Sequence, residues 1–221
     1  MAHPTLMSWS SGKDSAWALY QLQQQPEYQV KGLFCTLNAE FQRVAMHGVR
    51  KELVEAQAAA AGLPLYWIDI PYPCSNADYA ARMSAFIDLA RELGITHMAF
   101  GDLFLQDVRA YRESQLAPTG MTPVFPLWGQ ATPALARTMQ AGGLKARLTC
   151  VDPRQLSAEM VGRDFDAAFL ADLPQQVDPC GENGEFHSFA YAGPMFNQPI
   201  PIRTGEIVER DGFCFADLLP A

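Results

Sequence analysis

The first half of the chain alternates short apolar runs with segments whose apolar residues recur at helical spacing. Leu6–Leu19 is predicted to form a strand, a tight loop and the start of a helix. The other apolar runs are nearly continuous, which is typical of strands buried on both faces of a parallel sheet. They predict strands at 30–37, 65–70 and 96–100, and the segments between and after them predict helices at 48–61, 78–93 and 106–116.

This alternation predicts an α/β fold in which a doubly wound parallel sheet is connected by right-handed crossovers. A cluster of prolines and a glycine between 118 and 126 interrupts the pattern, so we predict a domain of residues 1–119 and a second of 120–221. The second is predicted to be a smaller α+β domain, packed against the first. Its predicted elements are helices at 132–141 and 164–171, strands at 144–151 and 186–191, and a last short β segment.

The loop of Leu6–Leu19 has the composition of a phosphate site. Backbone N–H groups, the positive end of a helix and three serine hydroxyls would all face a bound phosphate, and Lys13 adds a full charge. The hydroxyls belong to Ser10, Ser11 and Ser15, and Gly12 and Asp14 complete the loop. It is not a Walker A loop, because Met7 and Asp14 stand where that motif has Gly and Ser/Thr. The alternative is a serine-rich turn that caps an ordinary helix.

Ligands in doubly wound sheets bind beyond the carboxyl ends of the strands, where the strand order reverses. The serine loop, Asn38 and Gly101-Asp102 each follow a predicted strand, so we expect them to face one crevice. Asp102 is interpreted either as a Mg²⁺ or substrate ligand or as a helix N-cap. Arg109 either reaches the phosphates or pairs with Glu113 on the helix surface. His47 is read as a hydrogen-bonded structural residue or as a nucleotide contact.

A second group of chemically active residues lies near the carboxyl end: Cys180, Glu182, Glu185 and His187. Glu185 and His187 would share one face of a strand, where a carboxylate beside an imidazole can deprotonate an amine. The ligand spacing is not that of a familiar metal site, and no neighbouring group is found to activate Cys180 as a nucleophile. Alternatively, these glycines and acids form a simple hairpin.

Charge and cysteine content narrow the classes of partner. A net charge of −8 argues against nucleic acid as the main partner, because such binding rests on neutralising phosphates. The five cysteines include no C-x-x-C pair, which favours free thiols over a disulfide framework or a zinc site. No basic leader or membrane-length apolar run is found, so a cytoplasmic protein without a membrane partner is expected.

The loop Ser10–Ser15 resembles the S-G-G-x-D-S loop of the PP-loop ATP pyrophosphatases, whose fold is HUP-like, with Ser11 in place of a glycine. Ser11 fits there if its φ is negative, or at about 1 kcal/mol of strain if φ is positive. Together with other stretches, it resembles the diphthine–ammonia ligase (diphthamide synthase) family and its prokaryotic adenine-nucleotide α-hydrolase-like branch. Those stretches are RVAMHGVR at 43–50, GLPL at 62–65, YPCSNADY at 72–79, GDL at 101–103, FPLW at 125–128 and GENGEFHSFAYAGPMF at 181–196.

The resemblance implies a ligase that uses ATP to adenylate a carboxylate, releases pyrophosphate and transfers ammonia to the acyl group. Loop 10–15 would hold the departing pyrophosphate, with Mg²⁺ held by Asp14 or Asp102. His47, Gly101 and Arg109 would contact the nucleotide, and Glu182, Glu185 and His187 would line the ammonia side. The acceptor could be a protein-borne or a small-molecule carboxylate, and a homodimer is allowed for.

Two other readings are kept. One is a PP-loop tRNA-modifying enzyme, although a basic face and the paired cysteines of sulfur transfer are not found in the sequence. The other is a regulator that binds ATP or AMP on the same scaffold without turning it over. Release of AMP and pyrophosphate would separate the ligase from the regulator.

Overall fold

The computed structural model describes residues 2–44 and 47–221 of the chain; Ala45 and Met46 of the RVAMHGVR stretch lie outside the described residues. Within these residues, the first sheet has six strands: β1 (His3–Ser8), β2 (Tyr28–Asn38), β3 (Arg43–Val44), β4 (Leu65–Ile70), β5 (His97–Ala99) and β6 (Thr122–Val124). Its helices are α1 (Lys13–Gln23), α2 (Lys51–Ala61), α3 (Asn76–Glu92) and α4 (Gln106–Leu116).

The parallel strands of this sheet are ordered β4-β2-β1-β5-β6. After β1, the chain adds β2 and β4 on one side of this strand. It then adds β5 and β6 on the other side, so the strand order reverses between β1 and β5. The short strand β3 is antiparallel and pairs with the carboxyl end of β2. The expected doubly wound α/β fold is confirmed.

The second sheet is antiparallel, with the order β8-β7-β10-β9. Its strands are β7 (Lys145–Val151), β8 (Phe186–Ala192), β9 (Ile202–Arg210) and β10 (Phe213–Pro220), accompanied by α5 (Thr132–Ala141) and α6 (Ala167–Asp172). The expected smaller α+β domain is thus present, but the single last β segment predicted is a hairpin of two long strands. The helix predicted from residue 164 begins after Asp166, whose carboxylate accepts a hydrogen bond from the Phe169 N–H.

Strands β3 and β6 were not predicted, because they span only two and three residues and β6 contains Pro123. Proline is tolerated at a sheet edge, and β6 is an edge strand. Since β6 pairs with β5, residues 122–124 belong to the first sheet, and the boundary at 119/120 stays a prediction.

Two apolar cores lie on the two faces of the first sheet. One is covered by α3 and α4 and includes Phe34, Phe86 and Met98. The other is continuous from α1 and α2 into the second sheet, through side chains such as Leu19, Leu148 and Phe189. The two sheets therefore share a core, which holds the loop after β1 against strand β8.

Candidate active site

A cavity of about 260 Å³ lies at the carboxyl ends of β1 and β5, where the strand order reverses. Three segments supply most of its wall: the loop that leads into α1, the segment after β5, and the turn that leads into β8. Its lining residues are Ser8, Ser10, Lys13, Asp14, Ser15, His47, Phe100, Gly101, Asp102, Leu105, Val108, Arg112, Gly181, Glu182, Phe186, His187 and Ser188. The expected crevice is therefore present, and it also takes in the carboxyl-terminal motif.

The loop is compact because its hydroxyls bond to its own backbone. Ser15 donates to the carbonyl oxygen of Gly12 at 3.0 Å, and the Ser10 and Ser15 hydroxyls are 3.1 Å apart. Helix α1 begins at Lys13. Its N-cap residue is Gly12, which has no side chain that could cap the helix. The positive end of the helix therefore lies at the cavity wall, where an anion is stabilised.

Gly12 is needed for close packing. A Cβ atom there would lie 2.9 Å from the ring of His47 and 3.2 Å from the Ser188 carbonyl oxygen. Gly101 is restricted in the same way, since its Cβ would lie 3.0 Å from the backbone nitrogen of Ser15. The two glycines let β5 and β8 approach the amino-terminal end of α1.

Ser11 has a φ of +70°, in the left-handed region that favours glycine. It is fully buried, and its hydroxyl oxygen has no hydrogen-bond partner among the described residues. Of the two expectations for Ser11, a negative φ or a strained positive φ, the structure shows the strained one. Ser11 is also absent from the cavity wall, so its role is in the shape of the loop.

Lys13 is a buried cation. Its Nζ donates to the Asp14 carboxylate at 2.8 Å and to the carbonyl oxygen of Cys180, and lies over the ring of Phe186. Burial alone would lower the pKa of Lys13, but the adjacent Asp14 carboxylate outweighs it and raises the pKa. The ammonium group therefore stays charged at the cavity.

Two carboxylates at the cavity each have a buried oxygen that accepts no hydrogen bond from the described residues, although Arg112 Nε lies 3.5 Å from that of Asp102. Asp14 Oδ1 and Asp102 Oδ2 are both buried, and neither accepts a hydrogen bond within the described part of the chain. Burial raises the pKa of both groups, and Lys13 and Arg112 respectively oppose the shift. Asp102 is not a helix N-cap, because α4 begins at Gln106 after Leu105.

This oxygen pair fits the Mg²⁺ that the resemblance implies. Magnesium in nucleotide sites is held by one or two carboxylates together with phosphate oxygens and water, so a larger protein cage is not needed. Among residues 2–44 and 47–221, no group of three or more His, Cys, Asp or Glu side chains is arranged to hold a metal by itself.

Glu182 bridges the two domains across the cavity. Its Oε1 accepts a hydrogen bond from the Leu103 N–H at 2.7 Å, just after β5. Burial raises the pKa of this carboxyl group to about 7, although the bond from Leu103 opposes the shift. A carboxyl group with such a pKa exchanges protons near neutral pH.

Glu185 and His187 do not act on the same side, contrary to the expectation of a shared strand face. Glu185 precedes β8 and lies outside the cavity wall. Its Oε1 accepts bonds from the Asp178 N–H and the Asn183 side chain, which holds the turn in shape. Only His187 of this pair lines the cavity.

The His187 ring packs against that of His47 at an interplanar angle of 41°, with ring centroids 4.7 Å apart, and His47 Nδ1 lies 3.2 Å from the Ser188 carbonyl oxygen. Burial lowers the pKa of His47 to about 3 and that of His187 to about 4. Both imidazoles are therefore neutral at physiological pH. His47 lies in the cavity wall, and its contact with a nucleotide stays a prediction.

Three other expected residues lie away from the cavity chemistry. Arg109 pairs with Glu113 at 2.7 Å and stacks on Phe125 and Trp128, and the surface-pair reading describes it. Asn38 accepts hydrogen bonds from the N–H groups of Glu40 and Phe41 and shapes the turn after β2. The Cys180 thiol is buried with a raised pKa, so it is not an activated nucleophile.

Arg112 and Ser188 are among the cavity residues that were not singled out from the sequence. Arg112 lies 3.5 Å from the Asp102 carboxylate and over the ring of Phe100. It follows Arg109 by about one helical turn, and the pattern alone did not distinguish the two. The Ser188 hydroxyl accepts a hydrogen bond from the Lys13 N–H at 3.2 Å. Only its position beside His187 in the motif could have indicated it.

Two family models match this chain. The model of the diphthamide synthase N-terminal domain matches residues 4–122, and that of the diphthamide synthase C-terminal domain matches residues 132–217. A curated relative, the diphthine–ammonia ligase of Danio rerio, is 26% identical over 183 residues, which cover 76% of this chain and 72% of that protein. No helix in the described part of the chain is long and apolar enough to span a membrane.

Proposed function

Because the chain belongs to the diphthamide synthase family, we propose that it is an ATP-dependent, AMP-forming ligase that joins ammonia to a carboxylate. The observation that carries the proposal is a single cavity that holds a charged lysine, the amino-terminal end of α1 and two buried carboxylate oxygens that accept no hydrogen bond within the described part of the chain. The first two attract phosphates, and the third is the donor set that a phosphate-bound magnesium ion uses.

In the first half-reaction, the acceptor carboxylate attacks the α phosphorus of ATP and pyrophosphate leaves. Lys13 and the amino-terminal end of α1 would bind the β and γ phosphates and stabilise the charge that develops on the leaving group. Asp14 and Asp102 would hold Mg²⁺, which supplies Lewis-acid stabilisation of the phosphate charge when bound.

In the second half-reaction, ammonia displaces AMP from the acyl-adenylate. Ammonium must first lose a proton, and Glu182 is the cavity carboxylate whose pKa of about 7 suits that transfer. His187 lies on the same wall and is neutral, so it can accept a hydrogen bond from the incoming nucleophile. Glu185 is assigned no contact with substrate, because its carboxylate accepts the Asp178 N–H bond that stabilises the turn.

The test is product analysis with ATP, Mg²⁺, ammonium and a panel of carboxylates, including peptides that carry diphthine. The proposal predicts AMP and pyrophosphate in equal amounts, together with one amide per AMP. Formation of ADP and phosphate would contradict it. ATP binding without any turnover over the whole panel would favour the regulator instead.

A further inference from the structure

Gln57 is a fully buried glutamine in the middle of α2, and its amide makes three hydrogen bonds to the protein, which use both of its donor hydrogens. Its Oε1 accepts from the Trp9 Nε1–H at 2.8 Å, and its Nε2 donates to the carbonyl oxygens of Ser11 at 2.9 Å and Ala190 at 2.7 Å. An indole only donates and a carbonyl only accepts, so the partners fix the orientation of the amide.

The bond to Ser11 controls one peptide of the phosphate loop. The Ser11 carbonyl oxygen receives a second donor, the Ala190 N–H, at 2.9 Å, so it is held toward the protein interior. In a trans peptide the N–H points away from the carbonyl. The Gly12 N–H is thereby turned to the opposite side, toward the hydroxyl of Ser10 on the cavity wall.

This peptide needs such support because Ser11 has a positive φ, which a serine adopts only under strain. Simple packing would not call for a glutamine, since a leucine would fill similar volume without a polar group to desolvate. The amide instead links three segments that must keep fixed positions: the end of β1, the loop and β8.

We propose that Gln57 is a positioning residue: it holds the Ser11–Gly12 peptide so that the Gly12 N–H donates to Ser10 on the cavity wall, which keeps the loop in the form that binds phosphate. The proposal rests on the proposed function of the cavity as an ATP site. Gln57 acts through the loop, because it is absent from the cavity wall.

The experiment compares ATP affinity, measured by titration calorimetry, in wild type and three variants from about pH 6 to about pH 9, a range in which a buried carboxyl group can titrate. Gln57→Leu removes both donors and should weaken ATP binding at least about tenfold at every pH, the loss expected for an unpaired buried group. Gln57→Glu provides a donor only when protonated. Its affinity relative to wild type should therefore recover as the pH falls.

Trp9→Phe is the matched control, because it removes the indole that Gln57 accepts from and leaves both donor bonds available. Its ATP affinity should stay within about threefold of wild type, although it loses a buried hydrogen bond. Where Gln57→Leu does not fold, the pH dependence of Gln57→Glu decides.

Two results would overturn the assignment while wild type binds ATP: wild-type affinity in Gln57→Leu, or no recovery of Gln57→Glu on acidification. A tenfold loss in Trp9→Phe would also overturn it, because the effect would then follow general loosening of this region. If wild type itself binds no ATP, the proposed function of the cavity has failed, and the assignment of Gln57 fails with it.

Discussion

The loop Ser10–Ser15 and the turn 178–188 face each other across one cavity, but they depend to different extents on the sequence next to them. The loop is formed mainly by the end of a strand, the start of a helix and its own serines, and Gln57 and Ala190 fix its Ser11 carbonyl oxygen. The turn has internal bonds to Glu185, but its position at the cavity depends on contacts distant in sequence, such as the bond from Leu103 to Glu182 and the bond from Lys13 to the Cys180 carbonyl.

This difference indicates a division of labour. The loop presents fixed positive charge and backbone donors, which suit phosphate binding and change little with pH. The turn presents Glu182 and His187, whose pKa values are set by burial in the assembled cavity. Variants of the loop should therefore affect nucleotide chemistry, and variants of the turn should affect the proton-dependent ammonia step.

The largest expected effect is the loss of Lys13. Lys13→Met keeps the volume but removes the cavity's buried charge, so AMP formation should fall by about 100-fold or more, the range for losing one group that stabilises developing charge. Pyrophosphate release measures it. Lys51→Met is the control, because Lys51 lies over Trp67 outside the cavity. This variant should form AMP at the wild-type rate. Comparable rates of AMP formation in the two variants would show that the loop takes no part in the reaction.

The matched change in the turn is Glu182→Gln. The amide oxygen can still accept from Leu103, but the side chain can no longer take a proton, so amide formation should slow by about 10- to 100-fold while ATP affinity is kept. Single-turnover amide formation measures the step. Glu185→Gln serves as the control because it keeps an acceptor for Asp178, and we expect a nearly wild-type rate. Equal losses in both variants would assign the effect to the shape of the turn.

The pH profile sharpens the same contrast. Glu182 has a pKa of about 7, so the amide-forming rate should rise through this pH in wild type, and Glu182→Gln should lack the break. Burial raises the pKa of Glu182 in the folded protein above its ordinary value of 4.5. The contribution of Glu182 to the free energy of unfolding is therefore fully present below pH 4.5 and is lost as the pH rises through about 7. Rate and unfolding measurements over one pH series check both statements. A rate break that persists in the glutamine variant would exclude Glu182 as the base.

The histidine pair should make the cavity sensitive to acid. Because the folded pKa of His187 is lowered from 6.5 to about 4, the stability it contributes is present above 6.5 and is lost as the pH falls through about 4. His187→Phe keeps a ring against His47 but cannot be protonated. We expect it to retain roughly 1–3 kcal/mol more of its free energy of unfolding than wild type does over this acid range. Parallel pH curves from urea unfolding would contradict this.

The smallest expected effect concerns the strained serine. Ser11→Gly removes both the cost of the positive φ and a buried hydroxyl without a partner, and should raise the free energy of unfolding by about 1 kcal/mol. Ser10→Gly, on the cavity wall, is the comparison and should give no such gain, because its hydroxyl contacts Ser15. Denaturant unfolding measures both, and a loss of stability in Ser11→Gly would contradict the strain argument.

The same contrast explains what could be predicted from the sequence. The loop is local: an apolar strand, a cluster of small polar residues and a helix predict where Lys13 and Asp14 lie. Strand alternation likewise predicted the doubly wound sheet and the edge at which Gly101 and Asp102 meet the loop. Patterns of this kind depend only on neighbours along the chain.

The turn could not be predicted in the same detail, because side-chain direction in a turn follows no simple period. Glu182 and Glu185 are three residues apart, yet one crosses to Leu103 and the other supports the turn from behind. Arg112 and Arg109 share a helix, and tertiary contact with Asp102 distinguishes them. Gln57 gives no local signal at all, since its partners are brought together by the fold.

The proposed function requires the loop after β1 to bind the β and γ phosphates of ATP, and a crystal structure with a non-hydrolysable ATP analogue and Mg²⁺ would locate them. We expect these phosphates at the amino-terminal end of α1, beside Lys13, with the metal ion at Asp14 or Asp102. A nucleotide bound elsewhere, for example in the separate cavity of about 420 Å³ lined by Arg43, Arg50 and Lys51, would contradict it.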